Sequence, residues 1–135
     1  MKTVLTFGTF DLIHIGHIRL LKKAKNLGAK LIVGVSSDEF NYFKKGSYPK
    51  YNQNARLEIV SSLGCVDDVF LEESFSLKNY YLDHYGANIL VMGSDWAGKF
   101  DKYTKKDLEV IYFPRTPNIS TSKTIKHICN SDRKQ

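Results

Sequence analysis

The chain has 135 residues, 42% of them hydrophobic, enough for one domain with a buried core and too few to require a second. Its 20 Lys and Arg against 14 Asp and Glu give a formal charge of +6, so anionic partners such as phosphates, nucleotides or nucleic acid are expected. The opening "MKTVLTFGTF" has an apolar run too short for a secretory signal, and no stretch approaches the about 18 apolar residues of a membrane span. A cytoplasmic protein without a membrane partner is the expectation.

In chain order, "KTVLTF" (2–7) reads as a buried parallel strand, β-branched and aromatic, broken by Gly8. From Ile18 the apolar residues Leu20, Leu21, Ala24 and Leu27 recur at helical spacing until Gly28 supplies a stop. "KLIVGVSS" (30–37) repeats the strand signature. Residues 38–53 mix charges, aromatics, Gly46 and Pro49 without either period and read as a loop of functional length. "ARLEIVSSLG" (55–64) reads as a short amphipathic helix, "VDDVFLE" (66–72) as a third strand, "SLKNYYLDHYG" (76–86) as a helix and "ANILVMG" (87–93) as a fourth strand. "LEVIYF" (108–113) is the fifth, followed by Pro114 and a helix expected from Ser120. The polar tail 130–135 is expected to be disordered, which leaves residues 1–129 as the domain.

This alternation predicts an α/β fold, a Rossmann-like doubly wound sheet, mostly parallel, of about five strands with helices on both faces. Such sheets bind ligands beyond the carboxyl ends of their strands. The unusual residues gather there, in 8–17, 38–50, 93–101 and 115–123. Cys65 and Cys129 lie 64 positions apart without a CxxC partner and read as ordinary thiols.

Within "GTFDLIHIGH" (8–17), His14 and His17 follow a glycine turn and flank Gly16 where the N–H groups of a new helix point at any bound anion. A small residue at 16 lets a ligand approach the backbone, and two imidazoles can donate to phosphate oxygens. Taken singly, either histidine reads equally as a structural or capping residue. Zinc wants three or four protein ligands, and neither cysteine is near in sequence, so no protein metal site is expected. There is no Ser/His/Asp or Cys/His triad, nor the interleaved basic and aromatic motif of a nucleic-acid module.

That decapeptide resembles the HxGH signature of the nucleotidyltransferase superfamily. The tetrapeptide also resembles the HIGH motif of class I aminoacyl-tRNA synthetases, but 135 residues leave no space for their tRNA-binding domains. With "GSDWAGKFD" (93–101) and "PRTPNISTSKTIK" (114–126) in order behind it, essentially the whole ordered length resembles the bacterial glycerol-3-phosphate cytidylyltransferases. The resemblance implies transfer of CMP from CTP to a phosphomonoester. Glycerol 3-phosphate is the first choice of acceptor, giving CDP-glycerol and pyrophosphate for cell-surface polymer synthesis. Phosphoethanolamine, phosphocholine, another polyol phosphate or a phosphorylated amino acid are the alternative acceptors. A nucleotide-sensing module without catalysis is the alternative of a different class.

The same resemblance implies roles for individual residues. Gly8, Thr9 and Phe10 turn the first strand against the nucleotide, and His14, Gly16 and His17 hold the triphosphate. Arg115, Thr116, Ile119, Ser120, Thr121 and Ser122 grip the β- and γ-phosphates, while Asp95 and Trp96 lie near base and ribose. Lys44, Lys78 and Asp11 receive the acceptor, and His14, His17, Lys44 and Arg115 form the catalytic set. Mg²⁺ is implied as arriving with CTP, and a homodimer as the assembly. Without the resemblance, the lysines read as solvated charges, Asp95 as a cap, Trp96 as core packing and "NISTSK" as a helix cap.

The chain also departs from the family pattern. The loop from Lys44 to Arg56 is one residue longer, and Gly46 stands where a second lysine is expected, with Lys45 or Lys50 as substitutes. Phe75 stands in place of an indole, and "TPNIS" in place of Thr-x-Gly-Ile-Ser; Asn118 can still adopt the left-handed turn.

Overall fold

The computed structural model describes residues 1–99 and 108–114 together with Thr121, Ile125, Lys126 and Ile128. Its strands are β1 (Thr3–Gly8), β2 (Lys30–Ser36), β3 (Asp68–Glu72), β4 (Ile89–Gly93) and β5 (Glu109–Phe113), joined in one sheet of order β3-β2-β1-β4-β5. Every neighbouring pair is parallel, so the sheet is wholly parallel where a mostly parallel one was expected. The helices are α1 (Ile15–Lys25), α2 (Asp38–Lys45), α3 (Gln53–Ser61) and α4 (Lys78–His84), with 3-10 turns at Phe75–Leu77 and Ser94–Trp96.

A parallel strand covered on both faces must be apolar on both, and β1 shows how the two cores divide. Val4 joins Leu31, Val33, Val35 and Val91 in one cluster, closed by Leu21 and Ala24 of α1 and Val60 of α3. Leu5 and Phe7 point the other way, joining Ile32, Leu90 and Met92 beneath Tyr81 and Leu82 of α4. Helices therefore cover both faces.

Two elements differ from the sequence reading. Helix α1 begins at Ile15, not Ile18, because its first turn is capped by histidine rather than by the usual Ser, Thr, Asp or Asn. Residues 38–45 are helical, not loop: Ser37 Oγ accepts the Phe40 N–H, Asp38 and Glu39 sit in the first turn, and Gly46 closes the end at φ 75°. This helix buries only Phe40 and Asn41, so it carries no apolar stripe for a periodicity to detect. Of the helix expected from Ser120, the start lies outside the described residues, while Thr121, Ile125, Lys126 and Ile128 are helical. Cys129 and the tail 130–135 also lie outside them.

Strand order reverses between β1 and its neighbours β2 and β4, which opens a crevice at the carboxyl edge where the loops after β1 and β4 diverge. That crevice is where the candidate site residues collect.

Candidate active site

A cavity of about 370 Å³ occupies this crevice, bordered by Gly8 to Asp11, His14, Gly16 and His17 after β1, by Gly93, Asp95 and Trp96 after β4, and by Phe113, Pro114 and Thr121. The loop leaving β1 is wound tightly. Phe10 and Leu12 both adopt left-handed backbone, at φ 54° and 47°, a conformation that bulky residues rarely hold and that clusters at functional sites. The Phe10 ring folds back over the strand end so closely that a Cβ on Gly8 would lie 2.8 Å from it. A side chain at position 8 would force the Phe10 ring to shift.

His14 is the N-cap of α1. Its Nδ1 accepts the Gly16 N–H at 3.1 Å, while its own backbone N–H donates to His17 Nδ1 at 3.2 Å. The arrangement is a capping box in which imidazoles take the parts of the hydroxyl and the carboxylate. The rings stack with centroids 3.9 Å apart, and Phe10 packs 5.5 Å from His17. Because each Nδ1 is an acceptor, the proton of each neutral ring resides on Nε2, the edge away from the cap. Capping therefore uses the Nδ1 edge of each ring. Arg19 and Lys23, one helical turn apart on α1, add positive charge to the cavity border.

Asp11 does something more local. It is 7% exposed, and its carboxylate accepts the N–H groups of Lys50 and Tyr51 at 2.7 and 3.0 Å, pinning the 46–52 loop to the β1 loop. Thr121 Oγ1 donates to the Asp11 carbonyl at 2.6 Å and brings the C-terminal segment to the same point. Asn41 completes the latch from α2: its Oδ1 accepts from Thr9 Oγ1 at 2.7 Å and its Nδ2 donates to the Ser47 carbonyl at 2.9 Å.

A second cavity of about 70 Å³ adjoins the first and shares Gly8, Thr9, Lys45 and Trp96 with it, adding Lys44, Glu72, Phe75 and Lys78. Lys78, at the start of α4, is buried, with Nζ 2.8 Å from Glu72 Oε2 and 4.0 Å from the Phe7 ring centroid. Lys44 Nζ donates to Ser36 Oγ at 2.7 Å and lies 4.6 Å over the Phe40 ring. Burial is the main force on all three ionisable groups. It lowers Lys44 to about 8 against the attraction of Glu72, and Lys45, Lys78 and Arg56 push the same way as burial. It lowers Lys78 and raises Glu72, each opposed by the other's charge.

The structure thus brings Gly8, Thr9, Phe10, Asp11, His14, Gly16, His17, Asp95, Trp96 and Thr121 to one cavity, and Lys44 and Lys78 to the next. Asp95 is exposed, and Trp96 is half-buried against the core as well as bordering both cavities. Lys45 borders both cavities, whereas Lys50 contributes its backbone to Asp11. Arg115, Thr116, Ile119, Ser120 and Ser122 lie outside the described residues.

Sequence reasoning assigned no role to Arg56, a fully buried guanidinium on α3. Its Nη1 donates to the carbonyls of Thr9 and Ser36 at 2.8 and 2.7 Å, its Nε to Tyr51 O at 2.9 Å, and its Nη2 pairs with Asp38 at 2.7 Å. The signal was present, since Arg56 is four residues before Val60 on the buried face of its helix. Asn41 and Glu72 were likewise overlooked.

A family model described as cytidylyltransferase-like matches residues 5–127. The chain belongs to the cytidylyltransferase-like family. Among its relatives, a glycerol-3-phosphate cytidylyltransferase of Bacillus subtilis (strain 168) is 45% identical over 129 residues, 95% of this chain and 98% of that one. Another, from Staphylococcus aureus (strain NCTC 8325 / PS 47), is 43% identical over 135 residues, covering 99% of this chain and all of the relative. Of solved structures, a lipopolysaccharide core biosynthesis protein from Thermoplasma volcanium GSS1 superposes with a TM-score of 0.72 at 26% identity, over 86% of this chain and 98% of that one. As a cytidylyltransferase-like chain it is a nucleotidyltransferase enzyme, acting on a nucleotide and a phosphate-bearing substrate. Among the described residues no helix is long and apolar enough to cross a membrane.

Proposed function

We propose that this chain transfers CMP from CTP to glycerol 3-phosphate, forming CDP-glycerol and releasing pyrophosphate. The observation that supports this most is the pair of adjoining cavities at the crevice of the sheet: one beside the histidine-capped helix start, the other lined by Lys44 and Lys78. Glycerol 3-phosphate is chosen because the relatives at 43% and 45% identity over nearly the whole chain carry that substrate in their names.

In this reading the triphosphate lies against the N-terminus of α1. There, the helix N–H groups and the Nε2–H donors of His14 and His17 face charge that grows on the phosphoryl oxygens. The acceptor phosphate lies in the lysine pocket, with Lys45 at the boundary in the role that Gly46 cannot fill. A phosphate oxygen of the acceptor attacks the α-phosphorus in line. The bond from that phosphorus to the bridging oxygen breaks, and pyrophosphate leaves with the electron pair. No protein nucleophile is needed. Gly8, Thr9, Phe10 and Gly16 let the nucleotide approach the backbone, and Asp95 and Trp96 take the base and ribose. Arg115, Thr116, Ile119, Ser120, Thr121 and Ser122 hold the departing phosphates. The catalytic set is His14, His17, Lys44 and Arg115, and Asp11 supports the acceptor side by fixing the loop that carries Lys50 and Tyr51.

The carboxylates bordering the large cavity fit a metal that brings most of its own ligands. Both Asp11 oxygens already accept backbone N–H groups, and among the described residues no group of three His, Cys, Asp or Glu could enclose an ion. Mg²⁺ would arrive with CTP and, when bound, would neutralise charge on the triphosphate oxygens. We further place the enzyme in the cytoplasm, as a homodimer, making the activated precursor of a cell-surface polymer.

Assay of pyrophosphate release with CTP, ATP and UTP, each against a panel of phosphomonoesters, tests the reading. The expected outcome is turnover with CTP and glycerol 3-phosphate well above every other pair. Preference for phosphoethanolamine or phosphocholine would overturn the acceptor, and CTP binding without turnover of any pair would favour a sensor.

A further inference from the structure

Among the described residues that line the lysine pocket, Glu72 is the one whose charge opposes a phosphate. It is the last residue of β3 and is 1% exposed, so no solvent reason accounts for a carboxylate there. Its cross-strand partner is Ser36, whose hydroxyl accepts from Lys44 Nζ, and its carbonyl accepts the Ser37 N–H at 2.8 Å. Two neighbouring strand ends therefore place a carboxylate and a hydroxyl side by side beneath two ammonium groups. Phe7 lies against one ammonium and Phe40 against the other, so water is partly excluded from both.

Without a counter-charge, two ammonium groups held in such surroundings repel each other and shed protons, and a neutral amine attracts phosphate poorly. A second carboxylate would cancel the charge of Lys44 and Lys78 and remove their attraction for a dianion. One carboxylate leaves the trio Lys44, Glu72 and Lys78 with a single positive charge. Resting on the reading that this pocket takes the acceptor phosphate, we propose that Glu72 is a positioning residue for that acceptor, the counter-charge that holds Lys78 in place and sustains the charge on Lys44.

The groups that face Lys44 are Glu72 from β3, Lys78 from α4, Arg56 from α3 and its own neighbour Lys45 on α2. Of these charged groups, all among the described residues, only Glu72 favours the Lys44 ammonium; the other three and burial oppose it. Lys44 titrates near 8, so its charge fades as pH rises through that value, while a phosphomonoester, with a second pKa near 6, stays a dianion. Acceptor affinity must then fall on the alkaline side. Removing Glu72 must move that fall to lower pH, because the remaining neighbours all disfavour the charged lysine.

The test is the KM for glycerol 3-phosphate at saturating CTP from about pH 6.5 to 9.5, in the wild type, Glu72→Gln and Glu72→Asp. In the wild type KM is expected to climb through pH about 8, the value at which Lys44 titrates. In Glu72→Gln the climb begins about one pH unit lower, so KM rises about twofold at pH 7 and roughly 10-fold on the alkaline side, with the KM for CTP unchanged within about twofold. Glu72→Asp keeps the carboxylate and restores the wild-type break at a higher KM. A break that does not move in Glu72→Gln, or equal rises in both KM values, would reduce Glu72 to a structural residue. Should Glu72→Gln not fold, the wild type and Glu72→Asp still decide: a pH-independent acceptor KM in the wild type overturns the proposal. Absence of turnover with any phosphomonoester removes the acceptor reading and this proposal with it, an outcome distinct from turnover with a flat pH profile.

Discussion

The cavity beside the α1 N-terminus is lined by backbone, two stacked imidazoles and a tightly wound loop, whereas the pocket next to it places two ammonium groups and a carboxylate below the surface. The first offers oriented N–H donors whose charge need not change. The second stores charge under burial, and burial has moved Lys44 to about 8. A donor cradle of the first kind suits a triphosphate that the protein meets in every turnover in the same form. A charged pocket of the second kind is sensitive to pH and to the size of its walls, and under the proposed function it is the acceptor's side. Three ties span the two regions: Asn41 to Thr9, Asp11 to the 46–52 loop, and Arg56 to both strand ends.

The contrast can be broken most strongly at the histidines. His14→Ala or His17→Ala is expected to lower kcat about 10³-fold in a pyrophosphate-release assay, the range seen for loss of a preorganised donor to transition-state charge. Because His14 also caps α1, circular dichroism should show the fold retained with a stability loss of about 1 kcal/mol. Near-wild-type kcat in both variants would leave the rings as caps only.

Arg56 sharpens the contrast by joining its two halves. Arg56→Lys retains a charge but not the fork that reaches Thr9 O, Ser36 O, Tyr51 O and Asp38 together. A loss of about 3 kcal/mol in urea unfolding is expected, with both KM values raised in parallel, since both cavity rims hang from this residue. A change in one KM alone would show that the two rims move independently.

What was legible in the sequence follows the same division. The fold was legible because buried parallel strands are short apolar runs punctuated by glycine, and "KLIVGVSS" and "ANILVMG" announce themselves. The histidine-capped helix start was legible because its motif is packed into ten consecutive residues. Helix α2 was missed, although Ser37, two acidic residues and Gly46 mark its ends, because only two of its eight residues are buried. The lysine pocket was half-read: Lys44 and Lys78 were named by resemblance, but Glu72 was not. A glutamate ending a strand looks like an exposed edge residue until β2, α2 and α4 close over it, and that closure is a tertiary fact. Arg56 was hidden for the same reason, since a short helix with one charge on its apolar face reads as an imperfect stripe.

The smallest expected effect tests the division of labour most directly. Steady-state kinetics of Lys44→Ala, with CTP and glycerol 3-phosphate varied in turn, separate the two cavities. The account predicts a KM for glycerol 3-phosphate raised about 10- to 100-fold, as loss of a charged hydrogen bond implies, with the KM for CTP unchanged within about twofold. A KM for CTP raised as much as that for the acceptor, or an unchanged acceptor KM, would contradict it.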